Sequence, residues 1–298
     1  MFPSSLPHLA LIINAGLWGL SWIPYKAMEA YGLSILWATA LAYSVLTLGL
    51  FLIRRQVVSH LLRWRNPLWA MALCYGLTNT CFNWALALGD VVRVVLLFYL
   101  MPIWSALFAH WMLKEKLGME GTARLGLALV GAVVVLGGVG TTSGAADVLA
   151  IAGGIFFGLA NVLLRQAQDQ SQTARLWMMF AGSGAMPLLI LLTAALLLPA
   201  GLWPSAMLGP VELPWTAQPY AYALLPLVIL GLALANFSLQ YGASRLPAQV
   251  TSLIMLSEIV FAAASAAFVL GSHPPAHEWI GGGLIIAAAA WASLRPRS

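Results

Sequence analysis

Apolar stretches long enough to cross a bilayer, about 20 residues each, recur along the chain at 7–29, 33–53, 67–88, 91–113, 120–140, 145–165, 174–198, 219–240, 247–270 and 275–294. Backbone groups inside lipid must be satisfied within the segment itself, so each stretch is expected to be a helix. Composition agrees. Apolar residues make up 61% of the 298, and charged residues only 8%, against roughly 25% in soluble domains. A surface that poor in polarity needs a bilayer around it. Breaks as short as Gly89-Asp90 and Arg245-Leu246-Pro247 imply antiparallel neighbours, while the proline-rich connection from Pro199 to Gln218 reads as a surface loop. Met1 to Leu9 holds no Lys or Arg, so the first stretch is expected to be a retained helix, not a signal peptide.

Charge orients the spans. Arg54, Arg55, Arg63, Arg65, Lys114, Lys116, Arg124, Arg165, Arg175, Arg245, Arg295 and Arg297 fall on the side of the termini, and only Lys26 and Arg93 on the other. That asymmetry places both termini in the cytoplasm by the positive-inside rule. It also explains the net charge of +5 without a nucleic-acid partner. Cys74 and Cys81 lie about 10 Å apart along one helix. That is too far for a disulfide, so both read as small buried side chains.

A repeat runs through the pattern. An offset of 157 pairs Asn79 with Asn236, Leu96 with Leu253, Ala106 with Ala263 and Gly126 with Gly283, and needs no gap from the third span to the fifth. Near the start the offset is 139, where Trp18-Gly19-Leu20 meets Phe157-Gly158-Leu159. Five spans per half force the halves into opposite orientations. The expected fold is an all-α integral membrane protein of ten transmembrane helices in two inverted five-helix repeats, 1–143 and 144–298. Secondary transporters commonly follow this plan, with substrate bound near the midplane between the repeats.

Glu258 is the most informative residue, because a carboxylate deep in a span is costly unless it faces protein or water. Thr251, Glu258 and Ser265 recur every seven residues and share a helix face. A proton-coupling or cation-recognising role competes with that of a structural carboxyl. Asn14, Trp18, Ser21 and Tyr25 form a stripe on the first span, Tyr75, Asn79 and Asn83 one on the third, Asn236 and Gln240 one on the eighth, and Asn161 lies on the sixth. Each amide could simply bond a neighbouring helix; their pairing across the halves favours a shared polar cavity. Trp18, Trp22, Trp84, Tyr99 and Tyr241 lie deep enough to bind a flat or cationic ligand as well as to pack. Pro102 should kink the fourth span. Arg93 either snorkels to headgroups or attracts an anionic group; facing Glu258, it would suit a zwitterion. The sequence shows no phosphate-binding GxxxxGK[ST] loop, HExxH motif or His/Cys cluster, so no cofactor, metal or catalytic set is implied.

The run FYLMPIWSALFAHWMLKEKLG followed by RLGLALVGAVVVLGG, echoed later by LSEIVFAAASAAFVLGS and IGGGLIIAAAA, resembles the EamA-type module of the drug/metabolite transporter superfamily. WGLSW at Trp18 to Trp22 resembles the family's first helix. The resemblance covers nearly the whole chain in two copies and assigns the family's kink proline, acid and glycine to Pro102, Glu115 and Gly126. The second copy departs from the pattern, with Ile259 in place of a proline and Ser272 in place of an acid. The resemblance implies a multi-pass exporter of the bacterial inner membrane. Its substrates would be amino acids or similar small metabolites, carried by alternating access, with a multidrug or quaternary-cation carrier as the alternative. A membrane enzyme or a non-transporting scaffold fits less well. Expected partners are the small-molecule substrate and membrane lipid, with the chain acting as a monomer and binding no nucleic acid. Expected site residues are Asn14, Trp18, Ser21, Asn79, Asn83, Tyr99, Asn161, Asn236, Gln240 and Glu258, with Pro102 as the moving kink.

Overall fold

The computed structural model describes residues 6–55, 68–114, 118–136, 144–167, 169–197, 214, 217–243, 245, 254–255, 257–271 and 274–294. Its helices are α1 (Leu6–Leu20), α2 (Trp22–Ala30), α3 (Ile35–Ile53), α4 (Leu68–Leu88), α5 (Val91–Phe98), α6 (Met101–Leu113), α7 (Met119–Leu136), α8 (Gly144–Gln166), α9 (Gln172–Leu197), α10 (Pro219–Ala243), α11 (Ser257–Leu270) and α12 (Ala276–Leu294). They form the ten expected spans, because α1 and α2 share the first and α5 and α6 the fourth. Side-chain caps fix several entries. Ser34 accepts from Trp37 N at the start of α3, and Asp90 accepts from Val92 N and Arg93 N at the start of α5.

Among the described residues, six stretches are long and apolar enough on their own to cross a membrane: Leu6–Ala30, Ile35–Ile53, Val91–Leu113, Gly144–Gln166, Gln172–Ala194 and Pro219–Leu239. Of the other expected spans, α4 carries Thr78, Asn79, Thr80 and Asn83 on its buried side, α12 opens with Glu278, and only 14 residues of α11 are described. Polar content inside a bundle lowers hydropathy without removing a helix from the bilayer.

The ten spans return the chain to its starting side, called here the near face; the opposite side is the far face. Helix neighbours carry the signature of the repeat. Spans 3 and 6 pack together as do spans 8 and 1; spans 4 and 6 as do 9 and 1; spans 3 and 7 as do 8 and 2. Spans 2 and 7, 4 and 9, and 5 and 10 pair directly. Exchanging the halves maps each of the first three pairings onto its counterpart and each of the last three onto itself.

The same symmetry holds at atomic detail. A Cβ on Gly19 would lie 2.7 Å from both the Glu258 carbonyl and the Phe261 Cβ, and one on Gly158 would lie 2.7 Å from the Trp104 Cβ. Gly158 is Gly19 advanced by 139, and Phe261 is Trp104 advanced by 157. The two offsets read from sequence therefore meet in one duplicated helix crossing. Small residues permit it, since helices in lipid associate by close packing and not by a hydrophobic drive. Gly182 of α9 provides a third tight crossing, where an added Cβ would collide with the Ala72 carbonyl of α4.

Gly182→Val should therefore destabilise the purified protein by about 1–3 kcal/mol or more, read as a drop in melting temperature in detergent. Gly49→Ala, with nothing within 4 Å of its added Cβ, should be neutral or stabilising by up to about 1 kcal/mol.

Candidate functional site

Span 4 is cut where α5 ends at Phe98 and α6 begins at Met101. Pro102 is the second residue of α6. It has no N–H for the carbonyl four residues back, and its ring opposes helix at that point, which accounts for a break at Tyr99-Leu100. The side chain of Pro102 lies outside the described residues. Tyr99 stands at the break and is fully buried. Its hydroxyl lies 2.8 Å from Oε2 of Glu258 and 2.8 Å from the Met255 carbonyl oxygen. Tyr99 belongs to the first repeat and Glu258 to the second, so this contact closes across the repeat interface.

Chemically, the three groups form an unusual acceptor–hydroxyl–acceptor set. When Glu258 is ionised, the Tyr99 O–H donates to the carboxylate. When Glu258 is protonated, its own O–H can donate to the Tyr99 oxygen while Tyr99 donates to Met255. Both protonation states leave the buried hydroxyl bonded, which is what a buried group that alternates its charge requires.

Further groups converge on the same crossing. Trp22 Nε1 donates to Ser265 Oγ at 2.9 Å, and Ser265 Oγ donates to the Ala262 carbonyl at 3.0 Å. Glu258 and Ser265 share one buried face, as their spacing predicted; Thr251 lies outside the described residues. Glu258 stands in the first turn of the described part of α11. Span 1 breaks beside it at Ser21, whose hydroxyl returns to the Trp18 carbonyl at 2.7 Å. Trp18 is half-buried there.

The amides gather elsewhere, Asn14 on span 1, Asn79 and Asn83 on span 3 and Asn236 on span 8, with side-chain partners on spans 2 and 7. Asn79 accepts from the Tyr43 hydroxyl at 3.0 Å and donates to Ser183 Oγ at 2.9 Å and to the Tyr75 carbonyl at 3.1 Å. One turn along α4, Asn83 donates to Thr39 Oγ1 at 3.0 Å. Asn236 donates to its own helix at Leu232, and Asn14 donates across to the neighbouring Ala235 carbonyl at 2.7 Å. Asn14 Oδ1, Asn83 Oδ1 and the Tyr25 hydroxyl are buried without a hydrogen bond. Asn161 is half-buried on α8, and the Gln240 side chain and Glu115 lie outside the described residues. The candidates thus form two groups, one around Glu258 and one around Asn79, with the broken first span between them. An open groove of about 450 Å³ lies along α1 and α10 at their near-face ends, lined by Leu6, Leu9, Ala10, Ile13, Ser238, Tyr241 and Arg245.

Arg93 does not face Glu258. It is buried at the far face and held by both carboxylate oxygens of Asp147, Nε to Oδ1 at 2.8 Å and Nη2 to Oδ2 at 2.9 Å. It also donates to the Val135 carbonyl at 2.9 Å, with Glu278 at 3.9 Å. The zwitterion-binding pair considered from sequence is therefore not formed. Asp147 and Glu278 escaped the sequence reading because an acid in the first turn of a helix is ordinary. Thr39, Tyr43 and Ser183 escaped it as common residues that only the fold brings together.

The family model of the EamA-like transporter family matches residues 5–137 and again 144–294. The chain belongs to the EamA-like transporter family. This places the EamA-like chain in the drug/metabolite transporter superfamily as a membrane transporter. A solved structure titled "Crystal structure of protein" shares the EamA-like fold, with a TM-score of 0.58 and 21% identity over 97% of each chain. No curated protein matches the chain.

Because Asn79 links three spans through side-chain bonds, Asn79→Ala should lower stability by about 1–2 kcal/mol, from two interhelical bonds of roughly 0.6 kcal/mol each plus the lost packing. A melting curve in detergent measures it. Tyr43→Phe should show less than half of that loss on its own, since it removes one bond and leaves the Asn79–Ser183 link.

Proposed function

We propose that this EamA-like transporter is a secondary carrier that exports amino acids or similar small metabolites by alternating access. The substrate would bind where the broken first and fourth spans meet Glu258. The observation that carries the reading is the Tyr99–Glu258 contact at 2.8 Å, buried at the break of span 4 and shared between the two repeats. Inverted-repeat carriers place their sites at such interfaces, on discontinuous helices. The polar groups of Trp18, Ser21 and Glu258 would receive the substrate as the Tyr99 bond is released. The Asn14, Asn79, Asn83, Asn161, Asn236 and Gln240 amides would line or brace the path beside it. The termini lie in the cytoplasm of a bacterial inner membrane in this reading, following the arginine distribution, and the carrier works as a monomer with no cofactor.

Glu258 is the proton-coupling residue of the proposal. The Tyr99 and Met255 oxygens can hold the carboxyl in either protonation state, so a proton and a cationic substrate group would compete for one site. A second reading, a carrier for quaternary or other organic cations, is favoured by one observation: Arg93 is engaged by Asp147 and leaves Glu258 without that counter-charge.

Purified protein in liposomes, challenged with radiolabelled aromatic amino acids, small neutral amino acids and quaternary ammonium ions, distinguishes the readings. Uptake of an amino acid that falls at least about tenfold in Glu258→Gln, together with its pH dependence, is expected. An unchanged rate and pH profile in Glu258→Gln would remove Glu258 from coupling. Transport of the quaternary ions alone would select the second reading.

A further inference from the structure

The buried charges at the far face belong to no part of the site above. Arg93 opens span 4, Asp147 opens span 6, Glu278 opens span 10, and the Val135 carbonyl closes span 5. Both partners of the central pair are buried, Arg93 at 6% exposure and Asp147 at 8%. The pair is bidentate, the strongest geometry available to a guanidinium and a carboxylate. It also joins the repeats, since Arg93 belongs to the first and both acids to the second. Lys26 adds a lesser tie nearby, donating to the Ala87 carbonyl at 3.1 Å.

In an inverted repeat, every feature of one face has a symmetry mate on the other. Advancing Arg93 by 157 reaches Val250, and moving Asp147 back by 139 reaches His8; Glu278 moved back by 157 reaches Gly121. The near-face positions thus carry no Arg–Asp–Glu set.

We propose that Arg93, Asp147 and Glu278 form a far-face latch that holds the ends of spans 4, 5, 6 and 10 together, so that the empty carrier rests with its far face shut. This rests on the carrier reading above. A buried ion pair adds little net stability relative to apolar packing, which leaves conformational bias as its physical contribution. The latch makes the two faces of an otherwise symmetric bundle unequal. Opening the far face must separate Arg93 from Asp147, a cost that substrate binding has to offset.

Electron–electron distance measurements on spin-labelled full-length protein in nanodiscs, without substrate, test the latch. Labels go on Ala30, tied to the span 3–4 turn by Lys26, and on the exposed Val148, next to Asp147, with Cys74 and Cys81 replaced by alanine. The unsubstituted latch should give one short-distance population. Arg93→Gln, Asp147→Asn and the double variant should each add a longer one, shifting the closed-to-open ratio by at least about tenfold. The double variant should regain melting temperature relative to the single variants while keeping the long distance, because it leaves no lone half of the pair buried. Distances unchanged in all three, or a double variant that regains both stability and the short distance, would reduce the cluster to structural cement. Should the Arg93 and Asp147 variants fail to fold, Glu278→Gln decides: a longer-distance fraction supports the latch and its absence overturns it. A chain that opens as expected yet moves no solute would refute the carrier reading and leave the latch standing.

Discussion

A polar group inside a bilayer-spanning bundle has no water to fall back on, so it must find its partner in its own helix's backbone or in another helix. That constraint organises this protein. Glu258 reaches Tyr99 on span 4, Trp22 reaches Ser265 on span 9, Asn79 reaches Tyr43 and Ser183 on spans 2 and 7, and Arg93 reaches Asp147 on span 6. Each bond crosses between spans, and four of these five cross between the repeats. The glycine crossings at Gly19 and Gly158 set the distances over which those bonds can form. Packing brings the backbones close, and polarity fixes which faces meet.

The same constraint explains why the candidate site is where it is. Span 4 breaks at Tyr99-Leu100, just before Pro102, whose backbone opposes continuous helix there. At that break the buried Tyr99 hydroxyl meets Glu258 and the Met255 carbonyl. The second repeat has Ile259 at the position equivalent to Pro102. The site is consequently lopsided, with the hydroxyl supplied by the broken helix of one half and the acid by the other.

Much of this was legible in the sequence. The periodic apolar stretches gave the spans, and the offsets of 157 and 139 foretold the duplicated crossing of Gly19 on Phe261 and Gly158 on Trp104. Glu258 stood out because an acid in a span is costly. What could not be read was pairing. Nothing in the order of residues says that Arg93 meets Asp147, 54 positions away, or that Asn79 meets Ser183. The separation of the polar residues into a Glu258 group and an Asn79 group is likewise a product of the fold. Sequence placed them all on one presumed cavity wall.

The central claim is that substrate binding and the Glu258 carboxyl are linked at the interface between the repeats. Infrared difference spectroscopy of the membrane-reconstituted protein, recorded as a transported solute is added, observes that carboxyl directly. The account predicts a substrate-induced change in a carboxyl band that disappears in Glu258→Gln. A difference spectrum that is the same in both proteins, while solute still binds, would contradict it.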